Sequence, residues 1–203
     1  MRRGSKSLAM NTLRFRAPAE EVRRYVTMCG HLQMIVRTRC ERERLRESFR
    51  PQCIQLLFIG ESPPASGRFF YSANSGLYRA MRMAFQIADS KVDDENFLAV
   101  FQQHGCYLTD LWHEPVDSLP SDRRRALRKA GEKYLARQLK RFRPVMIAPV
   151  LRSIANNVEN AASSAAWHGR ILQLPYPGRW SLHREAFIKA LVPTIREIYA
   201  GRS

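Results

Sequence analysis

The sequence lacks three things that would each have pointed to a function class. No apolar stretch approaches the roughly 20 residues that cross a bilayer, so a membrane-spanning reading has no support in the sequence. Its four cysteines, Cys29, Cys40, Cys53 and Cys106, form no C-x-x-C pair. That argues against a zinc or iron–sulfur site. Without an apolar secretory segment near Met1, reduced and mostly buried thiols are expected rather than a disulfide framework. Acidic residues are also scarce, with 18 Asp+Glu against 34 Lys+Arg and a net charge of +16. A field of that sign attracts polyanions. Nucleic acid is the commonest of them, because phosphate neutralisation supplies most non-specific affinity. Arg outnumbers Lys, which suits bidentate phosphate contact.

No repeat or low-complexity linker divides the chain. A length of 203 residues fits one domain, expected at 19–203 behind a basic, flexible tail at 1–18. The expected setting is cytoplasmic, nucleoid-associated in a bacterium, with no membrane partner and a monomeric state. A helical pattern runs over 19–49, where Val22, Val26, Cys29, Leu32 and Val36 recur at helical spacing. Its second half, RTRCERERLRESFR, reads as a solvated, mixed-charge face.

Beyond Pro51 the chain alternates between short apolar runs and amphipathic stretches. The runs at 53–59, 106–112 and 144–150, with a fourth inside 169–177, predict strands. Helices are predicted from Ser75 to about residue 88 with Ser75 as N-cap, over 94–104, from Ser121 (as N-cap) to about Arg141, over 151–164, and over 181–200. Strands alternating with helices imply a three-layer α/β/α sandwich on a central, mainly parallel four-stranded sheet. In such sheets a ligand lies beyond the carboxyl ends of the strands. Three segments converge there: GESPP after the first strand, TDLWHEP after the second, and LPYPGRW after the fourth.

The best of these is Gly60-Glu61-Ser62-Pro63-Pro64 followed by Gly67-Arg68-Phe69-Phe70-Tyr71. It resembles the first motif of the uracil-DNA glycosylase superfamily, a Gly-acid-x-Pro turn with a Gly-Arg-x-Phe step behind it. The resemblance extends over roughly residues 53–195. Two further segments sit where that family carries functional groups. Leu108-Thr109-Asp110-Leu111 stands at the strand that supplies a base-reading Asn, and Leu174-Pro175-Tyr176-Pro177-Gly178 at a His-Pro-Ser-like motif. Here the Asn is Asp110 and the His is Leu174.

The resemblance implies a DNA-repair glycosylase that flips a base and hydrolyses its N-glycosidic bond, without a redox cofactor or metal. The alternative is a catalytically silent nucleic-acid-binding member of the same fold. Glu61 would stabilise an oxocarbenium-like sugar or activate water; a helix cap or an Arg partner is its structural alternative. Ser62 would present a backbone N–H to a base carbonyl. Phe70 would stack on the base, or pack in the core. Asp110 would read a base edge, but an ionised carboxylate accepts and cannot donate. The expected substrate is therefore shifted from plain uracil. Leu174 cannot donate to a departing base; Arg179 or His183 are the substitutes, with His183 the catalytic candidate and His113 another at the second strand's mouth. Arg68, Tyr176, Arg179 and Trp180 are DNA-contact candidates, Trp180 or Tyr176 as a wedge. The basic run SDRRRALRK from Ser121, with Arg123, Arg124 and Arg125 at its start, continues with Lys133, Arg137, Lys140, Arg141 and Arg143; it is a phosphate-binding candidate, with a solvated helix face as its structural alternative.

Overall fold

Each apolar run stops where a polar or turn residue can leave the sheet, and this sets the strand lengths. The computed structural model describes residues 38–178 and 180–201. The expected tail at 1–18, the helical pattern over 19–37 and Arg179 lie outside them. In chain order the elements are α1 (Arg39–Ser48), β1 (Leu56–Gly60), α2 (Gly76–Ala88), α3 (Phe97–Gln103), β2 (Cys106–Asp110), α4 (Ser121–Phe142), β3 (Met146–Pro149), α5 (Ala155–Ser164), β4 (Arg170–Ile171) and α6 (Ser181–Ala200). Short 3-10 turns occupy Phe70–Ser72 and Arg152–Ile154.

The four strands are parallel in the order β2-β1-β3-β4. β1 is buried along its whole length, as a central strand covered on both faces must be. α2 packs with α6, and α4 packs with α5. The architecture is the expected three-layer α/β/α sandwich. The connection from β1 leads to β2 on one side, and that from β3 leads to β4 on the other. The chain therefore has a topological switch point between β1 and β3, the position at which open α/β sheets commonly bind ligands.

Several local expectations hold. Ser75 caps α2, accepting from the Tyr78 N–H at 3.1 Å. Others are corrected. The pattern over 19–49 is not one uninterrupted helix. Thr38 has extended backbone angles (φ −89°, ψ 154°) and forms a capping box with Glu41, so α1 starts afresh at Arg39. Nor is α1 a purely solvated face, because Arg42 and Arg46 are buried. Ser121 is the first helical residue of α4 rather than its cap, with Pro120 in the capping position. Cys106 is buried as expected, but Cys40 and Cys53 are exposed. β4 is only two residues long, because the chain turns away after Ile171.

One contiguous apolar cluster joins the sheet to both helical layers. Its aromatic part lies on the α2–α3 side, where Phe70, Tyr78, Phe85, Phe97 and Phe101 meet edge-to-face or tilted at centroid distances of 5.2–6.2 Å. The Tyr71 hydroxyl accepts from the Leu108 N–H at 2.7 Å and donates to the Leu108 carbonyl at 3.1 Å. This covers the open edge of β2, which would otherwise offer unpaired backbone groups.

Candidate functional site at the carboxyl end of the sheet

Gly60 and Asp110 are register partners at the ends of β1 and β2. The chain leaves both strands together. Leu111 N–H donates to the Gly60 carbonyl at 2.8 Å, and Trp112 N–H to the Glu61 carbonyl at 2.9 Å. The two loops are tied again further out, where Ala65 N–H donates to the Asp117 carboxylate at 3.1 Å. Glu61 thus emerges at the switch point with its backbone already fixed.

Its side chain is 9% exposed and is held by two arginines of α4. Arg124 Nη2 donates to Oε2 at 2.5 Å and its Nε to Oε1 at 3.3 Å; Arg128 Nε donates to Oε1 at 2.6 Å. Arg128 Nη1 also reaches the Ser153 carbonyl at 3.4 Å, in the loop after β3. One guanidinium therefore bridges the segments that follow β1 and β3. The helix makes this possible through its spacing. Arg124, Arg128, Leu135 and Leu139 share one face, so the face that buries leucines lower down presents cations at the mouth. Gly131 lets that face come close, since a Cβ there would fall 2.4 Å from the Leu111 carbonyl.

Burial alone would raise the Glu61 carboxyl. Hydrogen bonds and charge from Arg128 and Arg124 outweigh it and hold the group below the ordinary carboxylate range. A carboxylate held this way stays ionised through neutral pH. That suits electrostatic stabilisation of a developing cation better than proton abstraction, for which a value near the working pH is best.

Asp110 is also buried, and its carboxylate is paired with Arg46 of α1. Burial raises its carboxyl above the usual range, and the Arg46 charge opposes this only in part. Arg46 donates to Glu43 as well, at 2.6 Å, and its guanidinium lies over the Phe69 ring at 5.5 Å. Beside it Arg42 donates to Glu114 at 2.8 Å and to the His113 carbonyl at 3.2 Å. α1 is thereby pinned to the loop after β2. The His113 ring packs against Trp112 at 4.4 Å and Tyr134 at 6.2 Å, and burial lowers its pKa.

The structure brings Glu61, Ser62 and Asp110 to the paired carboxyl ends of β1 and the edge strand β2, with Arg124 of α4 reaching Glu61. Ser62 is half-buried, and its hydroxyl donates to the Pro63 carbonyl at 3.3 Å. Phe70 is not among them. Its ring is 3% exposed within the aromatic core cluster, so the position taken for base stacking is filled by core packing. Leu174 is buried too. In the segment after β4 and at the start of α6, Tyr176, Trp180 and Leu182 are exposed at 52%, 73% and 72%. His183 is exposed and lies against Gly178, and no hydrogen bond or ion pair joins it to Glu61 among the described residues. Arg68, Arg123 and Arg125 are exposed at the surface.

Sequence reasoning placed Arg128 only within the basic phosphate-binding run, not as a partner of Glu61, and it missed Arg46. The signal for Arg128 was present, an arginine at i+4 from Arg124 on the stripe continued by Leu135 and Leu139. Arg46 gave no comparable signal inside a run of mixed charge. No protein-family model matches this chain, and no curated protein matches it.

Proposed function

We propose that the protein binds DNA at the carboxyl end of its sheet, takes one nucleotide out of the stack, and hydrolyses its N-glycosidic bond. The observation that carries this reading is Glu61, a buried, ionised carboxylate fixed by two arginines at the switch point of the sheet in a strongly basic protein. Such a group lowers the energy of positive charge developing on a sugar. Water adds at the anomeric carbon. The base leaves with the bonding electron pair and gains a proton, giving free base and an abasic sugar. Asp110 adjoins this centre and biases recognition toward bases other than plain uracil. Trp180 and Tyr176 are exposed after β4, and an exposed ring can occupy the gap left by a flipped nucleotide. The expected setting is a cytoplasmic monomer.

A second reading, DNA binding by the same fold without catalysis, is favoured by specific placements. Phe70 is spent in the core, Asp110 is taken up by Arg46, and Leu174, at the position where the resemblance expects a donor, is buried and has no group to donate.

Strand scission after alkali reports abasic sites on duplexes and single strands carrying uracil, hypoxanthine or a mismatch. Cleavage that is lost in Glu61→Gln establishes the first reading. Salt-dependent binding without release of any base establishes the second.

A further inference from the structure

α4 carries a second basic surface that faces away from Glu61. Arg124 and Arg128 point into the mouth, whereas Arg125, Lys129, Lys133, Arg137 and Lys140 are exposed on the opposite side of the same helix. The steps Lys129, Lys133, Arg137, Lys140 are 4, 4 and 3 residues, so the cations form one row. At 1.5 Å per residue the row from Arg125 to Lys140 runs about 22 Å down the flank of the molecule. It borders a groove of ≈ 940 Å³ beside the end of α5, at Ser164, with Ala126, Ala130 and Ala136 among its lining. Small side chains there let a chain lie close to the helix between the flanking ammonium and guanidinium groups.

The acid of this groove is already engaged. Glu132 accepts from Asn157 at 2.7 Å and Asn160 at 3.2 Å and pairs with Lys129 at 2.9 Å. Lys133, Arg137 and Lys140 have no ion-pair partner among the described residues. Three free cations in a row cost self-repulsion, which a polyanion relieves. Residues 1–37 are themselves rich in arginine and have few acids, so their charge does not complement this groove.

We infer that the α4 flank is a phosphate track, separate from the mouth, that holds the backbone of duplex DNA leading away from the reacting nucleotide. The cations recur about every 6 Å along the helix axis, against one phosphate per about 3.4 Å of each DNA strand, so the row meets roughly every second phosphate. The helix is packed against the sheet and cannot enter a groove. The contacts are therefore to phosphate alone and carry no base preference. This inference rests on the proposed DNA partnership and is independent of catalysis at Glu61.

The test compares the full chain with Lys133→Ala/Arg137→Ala/Lys140→Ala. A control variant, Arg79→Ala/Lys91→Ala/Lys189→Ala, removes the same charge from exposed positions on other elements. Affinity for a duplex is measured as a function of salt. Each phosphate contact contributes about 0.9 to the log–log slope. The track predicts a slope smaller by about 2–3 in the flank variant, equally for duplexes of different sequence, and little changed in the control. Equal slopes for the flank and control variants overturn the track. So does a wild-type protein with no salt-dependent affinity for duplex DNA. Absence of base release by a wild-type protein whose slope still depends on the flank overturns the glycosylase reading and leaves the track standing. Matching circular dichroism spectra for both variants confirm that the fold is retained.

Discussion

The Asp110 carboxylate lies in the space that a side chain on Gly60 would occupy, with a Cβ built at Gly60 falling 2.4 Å from Asp110 Oδ1. The two residues are register partners, so neither can move away without breaking the end of the β1–β2 ladder. Gly60→Ala is therefore expected to destabilise the fold by about 1–3 kcal/mol, the usual cost of overpacking. Urea unfolding measures it. A double variant with Asp110→Ala should lose less than the sum of the two single changes, because the clash disappears with the carboxylate. Additive losses would mean that the two side chains do not share this space.

Removing Asp110 alone has a different consequence. Arg46 is 3% exposed and would lose its buried partner, keeping only the more exposed Glu43. Asp110→Ala should cost about 3–5 kcal/mol, whereas replacing Arg46 and Asp110 together by apolar residues of similar volume should cost much less. Equilibrium unfolding of the single and double variants checks this. A near-neutral Asp110→Ala would remove the Arg46 pair as the anchor of α1.

The Glu61 clamp predicts a pH dependence with a definite sign. The folded carboxyl ionises at lower pH than the unfolded one, because the hydrogen bonds and charge of Arg124 and Arg128 outweigh the effect of burial. Between the two pKa values the unfolded chain binds more protons, so stability rises with pH through that window. The contribution of Glu61 is fully present above the unfolded value of about 4.3 and is lost as pH falls through the folded one. Glu61→Gln should accordingly be less stable than the wild type at neutral pH and converge with it in acid. A constant difference between pH 7 and pH 3 would sink this account.

How far the site was legible in the sequence differs from residue to residue, for physical reasons. β1, the switch from strand to helical period and the Ser75 cap follow from local pattern, and all three stand in the structure. Glu61 was legible because a charge ending a buried run must find a partner at the strand mouth. Phe70 was not. A ring after a tight turn suits a ligand or the core equally, and the 3-10 turn at Phe70–Ser72 directs it among Tyr78, Phe97 and Phe101. Arg46 was illegible for the opposite reason. In a run of alternating charge, only the tertiary position of α1 decides which arginine is buried over Asp110.

Phe70 therefore offers a separation of packing from recognition. Phe70→Ala should cost about 3–5 kcal/mol, as a large-to-small change in a well-packed core does. Phe70→Leu keeps most of the volume and should cost less. If the ring belongs to the core alone, the folded Phe70→Leu protein retains wild-type affinity for DNA and the wild-type extent of any base release. A variant of normal stability but impaired DNA handling would instead show that this ring reaches a nucleotide.

Trp180 makes the complementary case. Its side chain is 73% exposed beside Tyr176 and Leu182, and it contributes little to the core. Trp180→Ala should leave stability within about 0.5 kcal/mol of the wild type, as surface changes usually do. An exposed indole with Tyr176 and Leu182 also exposed nearby in the sequence offers apolar surface to a partner. If DNA does, the same substitution should weaken binding several-fold, and it should do so with the salt slope unchanged, because the lost contact is apolar and releases no counterion. Titration of the variant with duplex at two salt concentrations separates the outcomes. A weaker affinity with a reduced slope would assign the effect to neighbouring phosphate contacts, and an unchanged affinity would remove Trp180 from the interface.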